Sequence, residues 1–389
     1  PAAGQQAKVF GNGEFVVSHE GGYSAFRADI TEKCTEEFNT IAIWCSNEKC
    51  DAIYPQSADF TFYGGLYRGA HLICVPETHF ELLHYGDLGI HAATEPASWD
   101  KEDFMLHIRT KICGVEKDNQ VIYQIFDEDG KEVASAARPA DSPDTSIPLY
   151  KPHRWDIKNS YQYTLKALIM RNNECLDEVE LKFGVRTFCC DPGRGFLING
   201  NCVPLRGVSR HQDKLYQGNA LTKEDHIRDA ELIEEIGANT VRLAHYQHAQ
   251  EFYNECDKRG FVVWAEIPFI SVMNEDPLAH ENCITQLKEL IYQNDHHPSI
   301  CFWGISNEIL IGGISEKLVE NHRELNALAK KIDPYRLTTI AHVTMTPKDG
   351  PMHEITDVES YNHYFGWYGG KTEDNGPWMD EYHEKYPNR

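Results

Sequence analysis

The sequence predicts a protein of mixed β and α/β class, in which two β-sandwiches precede a barrel of parallel strands and helices. The first observation is the length, because 389 residues exceed the usual size of one domain. The second is that short strand-like runs fill the chain up to about residue 188. The third is that apolar strands alternate with helical stretches after residue 191, which is typical of a parallel sheet.

The strand-like runs of the N-terminal half are short, and turn signals such as Gly11-Asn12-Gly13 separate them. A break over residues 79–94 divides the runs into two groups, and each group is expected to form a sandwich. The predicted strands are 8–10, 15–17, 40–44, 66–75, 104–111, 121–126 and 161–170.

The C-terminal half repeats a strand followed by a helix. Thr222 and Asp225 form a predicted capping box at one helix start, and Gly237 stands where that helix should stop. Six strands are visible and a closed barrel needs eight, so the barrel is expected to be incomplete at its C-terminal side. An open doubly wound sheet is the alternative, but no GxGxxG loop follows the first strand. The predicted strands are 203–210, 240–245, 261–267, 300–306, 337–342 and 357–364, and the predicted helices are 222–236, 248–259, 278–295 and 316–331.

Polar side chains collect where successive strands of this half end. In a barrel of parallel strands these ends converge on one face, where such proteins carry their active sites. A polar pocket on that face is therefore expected. The residues at the strand ends are Arg210 and His211, His245 and Tyr246, Glu266, Asn307 and Glu308, His342, and Asn362 to Tyr364.

Glu308 is the sharpest candidate for catalysis. The apolar strand 300–306 runs directly into Asn307 and Glu308, and burial favours the protonated form of a carboxyl group. Cleavage of a glycosidic bond needs such a proton donor, with a second carboxylate about 5 Å away in retaining enzymes. The alternative is a charge at the strand end that faces water. The other polar strand ends favour the proton donor.

Five segments together resemble glycoside hydrolase family 2, and the resemblance covers nearly the whole chain. Four of them follow the strand and helix pattern of the predicted barrel, and the fifth lies near the end of the first predicted sandwich. Together they are specific, although each alone is modest. The segments are LRGVSRH at 205–211, NTVRLAHY at 239–246, CDKRGFVVWAE at 256–266, WGISNE at 303–308 and DFTFYGGLYR at 59–68.

The resemblance implies three domains. These are a jelly-roll sugar-binding domain over 1–78 that is incomplete at its N-terminus, an immunoglobulin-like β-sandwich over 79–188, and a (β/α)8 TIM barrel over 189–389 that is incomplete at its C-terminus. It also implies a retaining double displacement with Glu308 as general acid/base. The nucleophilic Glu is then expected just beyond residue 389, so the fragment alone is expected to be inactive. The alternative for the fragment is a catalytically incompetent carbohydrate-binding protein.

The resemblance assigns further residues to the pocket. Asn307 would hydrogen-bond the sugar 2-hydroxyl, and Tyr364 would donate to the nucleophile. The alternatives are structural ion pairs for the two arginines, and a place in the core for Trp303. The implied substrate-binding residues are Asp59, His211, His245, Asn307, Asn362 and Tyr364, and the supporting residues are Arg206, Arg242, Trp303 and Trp367.

The predicted substrate is a terminal β-D-galactoside, with β-glucuronidase as the alternative within the same family. The strongly acidic net charge of −23 favours a neutral sugar. Some galactosidases of the family bind magnesium after the third strand. Residues 267–272 are apolar where those ligands would stand, so no cofactor is expected, with at most a weak dependence on Mg²⁺ or Na⁺.

Composition excludes several other classes of partner. The negative charge argues against nucleic acid and anionic membranes, and no apolar run is long enough to span a bilayer. The twelve cysteines are scattered, several in apolar surroundings, which predicts buried reduced thiols in a cytoplasmic protein. A β-galactoside or related glycan is the predicted partner, and the full-length enzyme is expected to be a homo-oligomer.

Overall fold

The computed structural model describes residues 2–389 of the chain. Its N-terminal unit, here residues 2–78, contains one antiparallel sheet of three strands in the order β2-β1-β3. A single turn of 3₁₀-helix, Thr31–Lys33, lies between the second and third strands. The strands are β1 (Gln6–Gly11), β2 (Glu14–Glu20) and β3 (Ile41–Ser46).

The predicted strand 66–75 is wrong. This segment contains a turn at residues 67–68 and pairs with no strand of residues 2–389; the nearest pairing is an isolated bridge between Gly65, just before it, and Gly4. Leu72 and Ile73 expose 71% and 50% of their surface. A strand is stabilised by its neighbour and by a buried face, and this segment has neither among the described residues.

The second unit packs two antiparallel sheets face to face, with strand orders β10-β6-β5 and β12-β11-β8-β9. Inward side chains of both sheets, among them Phe104, Tyr123 and Leu165, form one buried cluster. The strands are β4 (His79–Phe80), β5 (Ile90–Pro96), β6 (Phe104–Thr110), β7 (Ile112–Cys113), β8 (Gln120–Phe126), β9 (Glu132–Pro139), β10 (Thr145–Leu149), β11 (Tyr163–Arg171) and β12 (Glu174–Phe183).

The third unit is built on a parallel sheet of six strands in sequence order, which confirms the predicted βα repeat. A small antiparallel sheet, β13 (Phe188–Asp191), β14 (Gly195–Ile198) and β15 (Asn201–Cys202), precedes it. The parallel strands are β16 (Gly207–Arg210), β17 (Thr240–Leu243), β18 (Val262–Glu266), β19 (Ile300–Asn307), β20 (Leu337–Val343) and β21 (Val358–Asn362). The jelly-roll and immunoglobulin-like topologies and the three domain boundaries stay predictions.

Helices connect the parallel strands and bury their apolar faces against the sheet. Thr222 and Asp225 form the predicted capping box, and Gly237 follows the helix with a positive φ of 78°. The helices are α1 (Lys223–Glu235), α2 (Gln250–Arg259), α3 (Pro277–Asn294), α4 (Glu316–Ile332) and α5 (Asn375–Lys385), with 3₁₀ turns at Ile309–Gly312 and Thr372–Asp374. No helix within residues 2–389 is long and apolar enough to cross a membrane.

The cysteine prediction holds in part. All twelve thiols are free, but only Cys256, Cys283 and Cys301 are buried. These three lie in the third unit, whereas six others are exposed, including the neighbouring Cys189 and Cys190. Apolar neighbours in the sequence therefore predicted the burial of a cysteine only in the third unit. There the cysteine lies on a strand covered on both faces or on the covered face of a helix.

Helix α3 holds the N-terminal unit through a buried polar stripe. Asn282, Gln286, Glu289 and Gln293 follow one another at helical spacing and are each at most 7% exposed. All four hydrogen-bond to residues 2–78. The bonds are Tyr54 N to Asn282 Oδ1 (3.0 Å), Gln286 Nε2 to Tyr54 O (3.0 Å), His19 Nε2 with Glu289 Oε1 (2.7 Å), Ser24 Oγ to Glu289 Oε2, and Ala25 N to Gln293 Oε1 (3.0 Å).

We expect Glu289→Ala to destabilise the protein by about 2–4 kcal/mol, because it leaves His19 and Ser24 buried without their common acceptor. The measurement is the midpoint of urea unfolding. Glu281→Ala on the exposed side of the same helix is the matched control and should shift the midpoint little. Equal effects of the two variants would contradict the stripe as the attachment.

Candidate active site

Arg242, on β17, is the centre of a hydrogen-bond network at the carboxyl ends of the parallel strands. Its guanidinium donates to both carboxylate oxygens of Glu266, at 3.0 and 3.2 Å. It also donates to Asn307 Oδ1 (2.6 Å) and Asn362 Oδ1 (2.9 Å), and it lies over the Trp264 ring at 4.2 Å. One side chain thus joins strands β17, β18, β19 and β21.

Glu308 enters this network from the end of β19. Asn362 Nδ2 donates to Glu308 Oε1 over 2.7 Å, and the Glu308 side chain is half-buried. Glu308 has φ 49° and ψ 24°, a left-handed conformation that is unfavourable for a residue with a Cβ. Its backbone N–H donates to Ala341 O (2.8 Å), which fixes the turn on the neighbouring strand. Such local strain is typical of functional positions.

The side chain of Asn307 is hydrogen-bonded through its carbonyl oxygen, Oδ1, alone. Oδ1 accepts from Arg242 and from Asn362 Nδ2 (2.9 Å), and the residue is only 3% exposed. Because both bonds use the oxygen, the amide NH₂ group remains available to donate to a ligand beside Glu308.

Glu266 is fully buried and already bound by two partners, Arg242 and His245. Arg242 contacts both of its oxygens, and His245 Nδ1 hydrogen-bonds Oε1. Burial raises the pKa of this carboxyl, but Arg242 and His245 outweigh burial, so the pKa lies below the ordinary value. Glu266 is therefore a charged support of the site rather than a group with a free oxygen for a substrate.

His211 and His245 lie side by side in the pocket, with ring centroids 5.3 Å apart. His211 Nδ1 is 3.1 Å from the Tyr246 hydroxyl. Burial and the nearby His245 lower the pKa of His211, so its ring is neutral at pH 7 and can serve as donor or acceptor for a hydroxyl group. The Phe60 ring lies 5.0 Å from the ring of His211 and 6.1 Å from that of His245.

Asp59 and Tyr364 lie at the rim. Asp59 is exposed, and its charge acts on both His211 and Tyr364. Burial and then the Glu308 carboxylate raise the pKa of Tyr364, so the phenol keeps its proton near that carboxylate. Trp367 is 80% exposed on the turn that follows Tyr364. Contacts and charge effects thus link Asp59, His211, His245, Asn307, Asn362, Tyr364 and Glu308 at the carboxyl ends of the parallel strands.

Two predicted supporting residues do not reach this site. Arg206 is exposed and precedes β16, so it lies at the opposite end of the strand from His211. Trp303 is fully buried, and its indole N–H donates to Asp333 Oδ2 (2.9 Å) on the helix side of the sheet. The structure therefore does not bring Arg206 and Trp303 to the site, because Arg206 lies at the amino end of its strand and Trp303 points to the other face of the sheet.

Two of the polar strand ends also turn away. Arg210 donates to Asp229 and to His248 Nδ1 (3.0 Å) behind the sheet. His342 pairs with Glu359 at 2.9 Å. A polar residue at a strand end therefore belongs to the pocket only when its side chain points towards the inside of the sheet.

The sequence prediction missed Phe60 as a wall of the pocket and Trp264 as the ring beneath Arg242. The signal for Phe60 was its position next to Asp59 in a predicted pocket segment. For Trp264, the signal was its place two residues before Glu266, since alternate strand residues share a face. In the segment predicted to lack magnesium ligands, Ile267, Phe269 and Ile270 are at most 4% exposed.

Comparisons with known proteins agree on one family. The family model described as "Glycosyl hydrolases family 2, TIM barrel domain" matches residues 192–388, and "Glycosyl hydrolases family 2" matches residues 97–186. The solved FMN-binding β-glucuronidase from Facaelibacterium prausnitzii L2-6 is 55% identical, with a TM-score of 0.98 over 100% of this chain and 60% of that chain.

Two curated relatives carry different activities in their names. A β-glucuronidase of Bacteroides fragilis is 35% identical over 98% of this chain and 56% of its own length. A β-galactosidase of Thermoanaerobacter pseudethanolicus is 31% identical over 85% of this chain and 44% of its own length. The chain therefore spans about half the length of these relatives.

We expect Arg242→Gln to destabilise the protein by about 3–5 kcal/mol, because Glu266 would remain as a buried charge without its main partner. Urea unfolding gives the value. Arg206→Gln, at the other end of the neighbouring strand, is the matched control and should change the unfolding free energy by less than about 0.5 kcal/mol. A small effect at Arg242 would show that the network is not the support described here.

Proposed function

Since the chain belongs to glycosyl hydrolase family 2, we propose that the protein hydrolyses terminal β-glucuronides with retention of configuration, using Glu308 as general acid/base. The observation that carries the catalytic assignment is the placement of Glu308. A left-handed turn at the end of β19 presents its carboxyl to Asn362, beside the free amide group of Asn307. A proton donor and a hydrogen-bond donor for the sugar thus stand next to each other.

The predicted β-galactosidase activity is less well supported than its alternative. Similar proteins at 55% and 35% identity are named β-glucuronidases, whereas the galactosidase cited above is 31% identical. The preference for a neutral sugar rested on the net charge of the chain. Such charge is screened by salt over about 8–10 Å, so a few local groups decide which sugar a pocket accepts.

In the proposed reaction, Glu308 protonates the glycosidic oxygen as the bond to the leaving group breaks, and later removes a proton from the attacking water. Asn307 donates to the sugar 2-hydroxyl, a contact that strengthens as the oxocarbenium-like transition state forms. His211 and His245 bind other hydroxyl groups. Two carboxyl groups and water supply this chemistry, so we propose that hydrolysis needs no cofactor, with at most a weak dependence on Mg²⁺ or Na⁺.

We assign no nucleophile among residues 2–389. The other carboxylate of the network is Glu266, and its two oxygens are occupied by Arg242 and His245. Residues 1–389 alone should therefore bind a sugar without efficient turnover, and homo-oligomerisation of the full-length enzyme remains a prediction.

The test is Glu308→Gln in the full-length protein, with nitrophenyl and alkyl β-glucuronides as substrates. We expect kcat/KM for the alkyl glucuronide to fall by about 10²–10⁴, because its poor leaving group needs the proton. The first step with the nitrophenyl substrate should be spared. Glu320→Gln, an exposed glutamate on α4, is the control.

Unchanged kinetics on both substrates would show that Glu308 is not the general acid/base.

The wild-type protein should also hydrolyse nitrophenyl β-glucuronide faster than the matching β-galactoside. The reverse ratio would restore the galactosidase interpretation, while leaving the acid/base assignment to be judged by the leaving-group test alone.

A further inference from the structure

A cluster of metal-ligating side chains, separate from the residues assigned to the pocket, lies in the segment that enters β5. The segment reads His84-Tyr85-Gly86-Asp87-Leu88-Gly89-Ile90-His91. His84 Nδ1, an Asp87 carboxylate oxygen and His91 Nε2 all lie within 4.8 Å of one another. The cluster is independent of the proposed hydrolysis.

The loop is folded so that one oxygen of Asp87 points at both imidazoles. Asp87 Oδ1 accepts from Gly89 N (2.8 Å), whereas Oδ2 lies 2.6 Å from His84 Nδ1 and 3.2 Å from His91 Nε2. Gly89 has φ 69°, and a Cβ there would lie 2.7 Å from Glu81 O, so the turn requires glycine. The Asp87 side chain is completely buried.

His91 is the observation that points to a ligand. It is only 5% exposed, and its Nε2, which is aimed into the cluster, makes no well-directed hydrogen bond within residues 2–389; its contact with Asp87 Oδ2, at 3.2 Å, is one of charge. Buried polar atoms nearly always have well-directed hydrogen bonds, so a ring nitrogen that only touches a carboxylate, with a second imidazole beside it, favours an occupant of the cluster.

Asp295, which follows the last residue of α3, contacts His91 on the ring nitrogen that faces away from the cluster. Its Oδ2 lies 2.8 Å from His91 Nδ1. A carboxylate on the far ring nitrogen of a histidine orients the ring and leaves the near nitrogen free to bind a metal, an arrangement common around zinc. The Asp295 contact therefore favours His91 as a ligand through Nε2.

We propose that His84, Asp87 and His91 bind one divalent transition-metal ion, Zn²⁺ by chemistry, with water as the fourth ligand. Two imidazole nitrogens and one carboxylate oxygen suit Zn²⁺, whereas Ca²⁺ and Mg²⁺ prefer oxygen ligands only. Zn²⁺ bonds to nitrogen and oxygen are about 2.0–2.2 Å long, so tetrahedral ligand atoms stand about 3.3 Å apart. The ion would therefore move His84 Nδ1 and Asp87 Oδ2 slightly apart from their 2.6 Å, whereas His91 Nε2 and Asp87 Oδ2, at 3.2 Å, already have this spacing. The His84 side chain is 21% exposed and gives the water access to solvent.

The ion would act as a structural clamp at the meeting point of three units. Arg27 of the N-terminal unit donates to Leu82 O (2.8 Å) and to Asp87 O. His91 lies on β5 of the second unit, and Asp295 belongs to the third. Binding at this point would stabilise the junction and would not touch the pocket around Glu308.

The experiment uses the chain with its exposed thiols alkylated, because free cysteines would compete for the ion. The metal-free chain is titrated with Zn²⁺ by calorimetry, and Co²⁺ serves as a spectroscopic probe of the ligand set. We expect one ion per chain, a Co²⁺ spectrum without thiolate charge-transfer bands, and a melting temperature raised by roughly 5–10 °C at a 100-fold excess over Kd.

Three variants separate a metal site from a buried ion pair. His84→Ala removes a ligand but leaves His91 between Asp87 and Asp295, so it should weaken Zn²⁺ binding more than tenfold. Asp295→Asn, which acts through His91, should weaken it by about 10–100-fold. His107→Ala is the control, since His107 pairs with Glu95 at 2.9 Å outside the cluster.

The proposal is overturned by the absence of stoichiometric binding, or by binding that His84→Ala leaves unchanged. It is also overturned if Co²⁺ shows thiolate ligands after alkylation. His84 is partly exposed and Arg27 contacts only the backbone of the loop, so His84→Ala should fold even where changes at His91 do not.

Discussion

The buried ion pair between Arg242 and Glu266 is the interaction on which the site depends. Glu266 lies on β18 without any exposed surface, and Arg242 on β17 is the charge that makes this burial tolerable. The remaining donors of the guanidinium are then directed at Asn307 and Asn362. Asn362 in turn donates to the Glu308 carboxyl. The orientation of the proposed proton donor is thus fixed through a chain of bonds that starts at a carboxylate without a catalytic role.

The sequence predicted the parallel strands and helices well because each carries its own signal. An apolar run flanked by caps and glycines, as around Thr222 and Gly237, identifies its element without knowledge of distant residues. The segment 66–75 had a comparable apolar pattern, but a strand also needs a partner, and none of the described residues provides one. Strand pairing depends on two segments, so the apolar pattern of one segment cannot predict it.

The sequence predicted which strand ends carry the site, but it did not predict to which face of the sheet each side chain points. Asn307 and Glu308 follow a buried strand, and the network places both as expected from that position. Trp303 and Arg206 belong to the same strands or motifs, but one faces the helices and the other lies at the amino end. A shift of one residue changes the face of a strand, so motif membership does not determine which side chains share a cavity.

Helix α3 gives the third unit an outer face that is unusual for a barrel helix. Asn282, Gln286, Glu289 and Gln293 are buried where the N-terminal unit covers them. The stripe has a consequence for recombination between relatives. A chimera that exchanges residues 2–78 alone would leave side-chain amides and a carboxylate without hydrogen-bond partners in the buried interface between the N-terminal unit and α3. The N-terminal unit and α3 should therefore be inherited as one cassette, although more than 200 residues separate them in the gene.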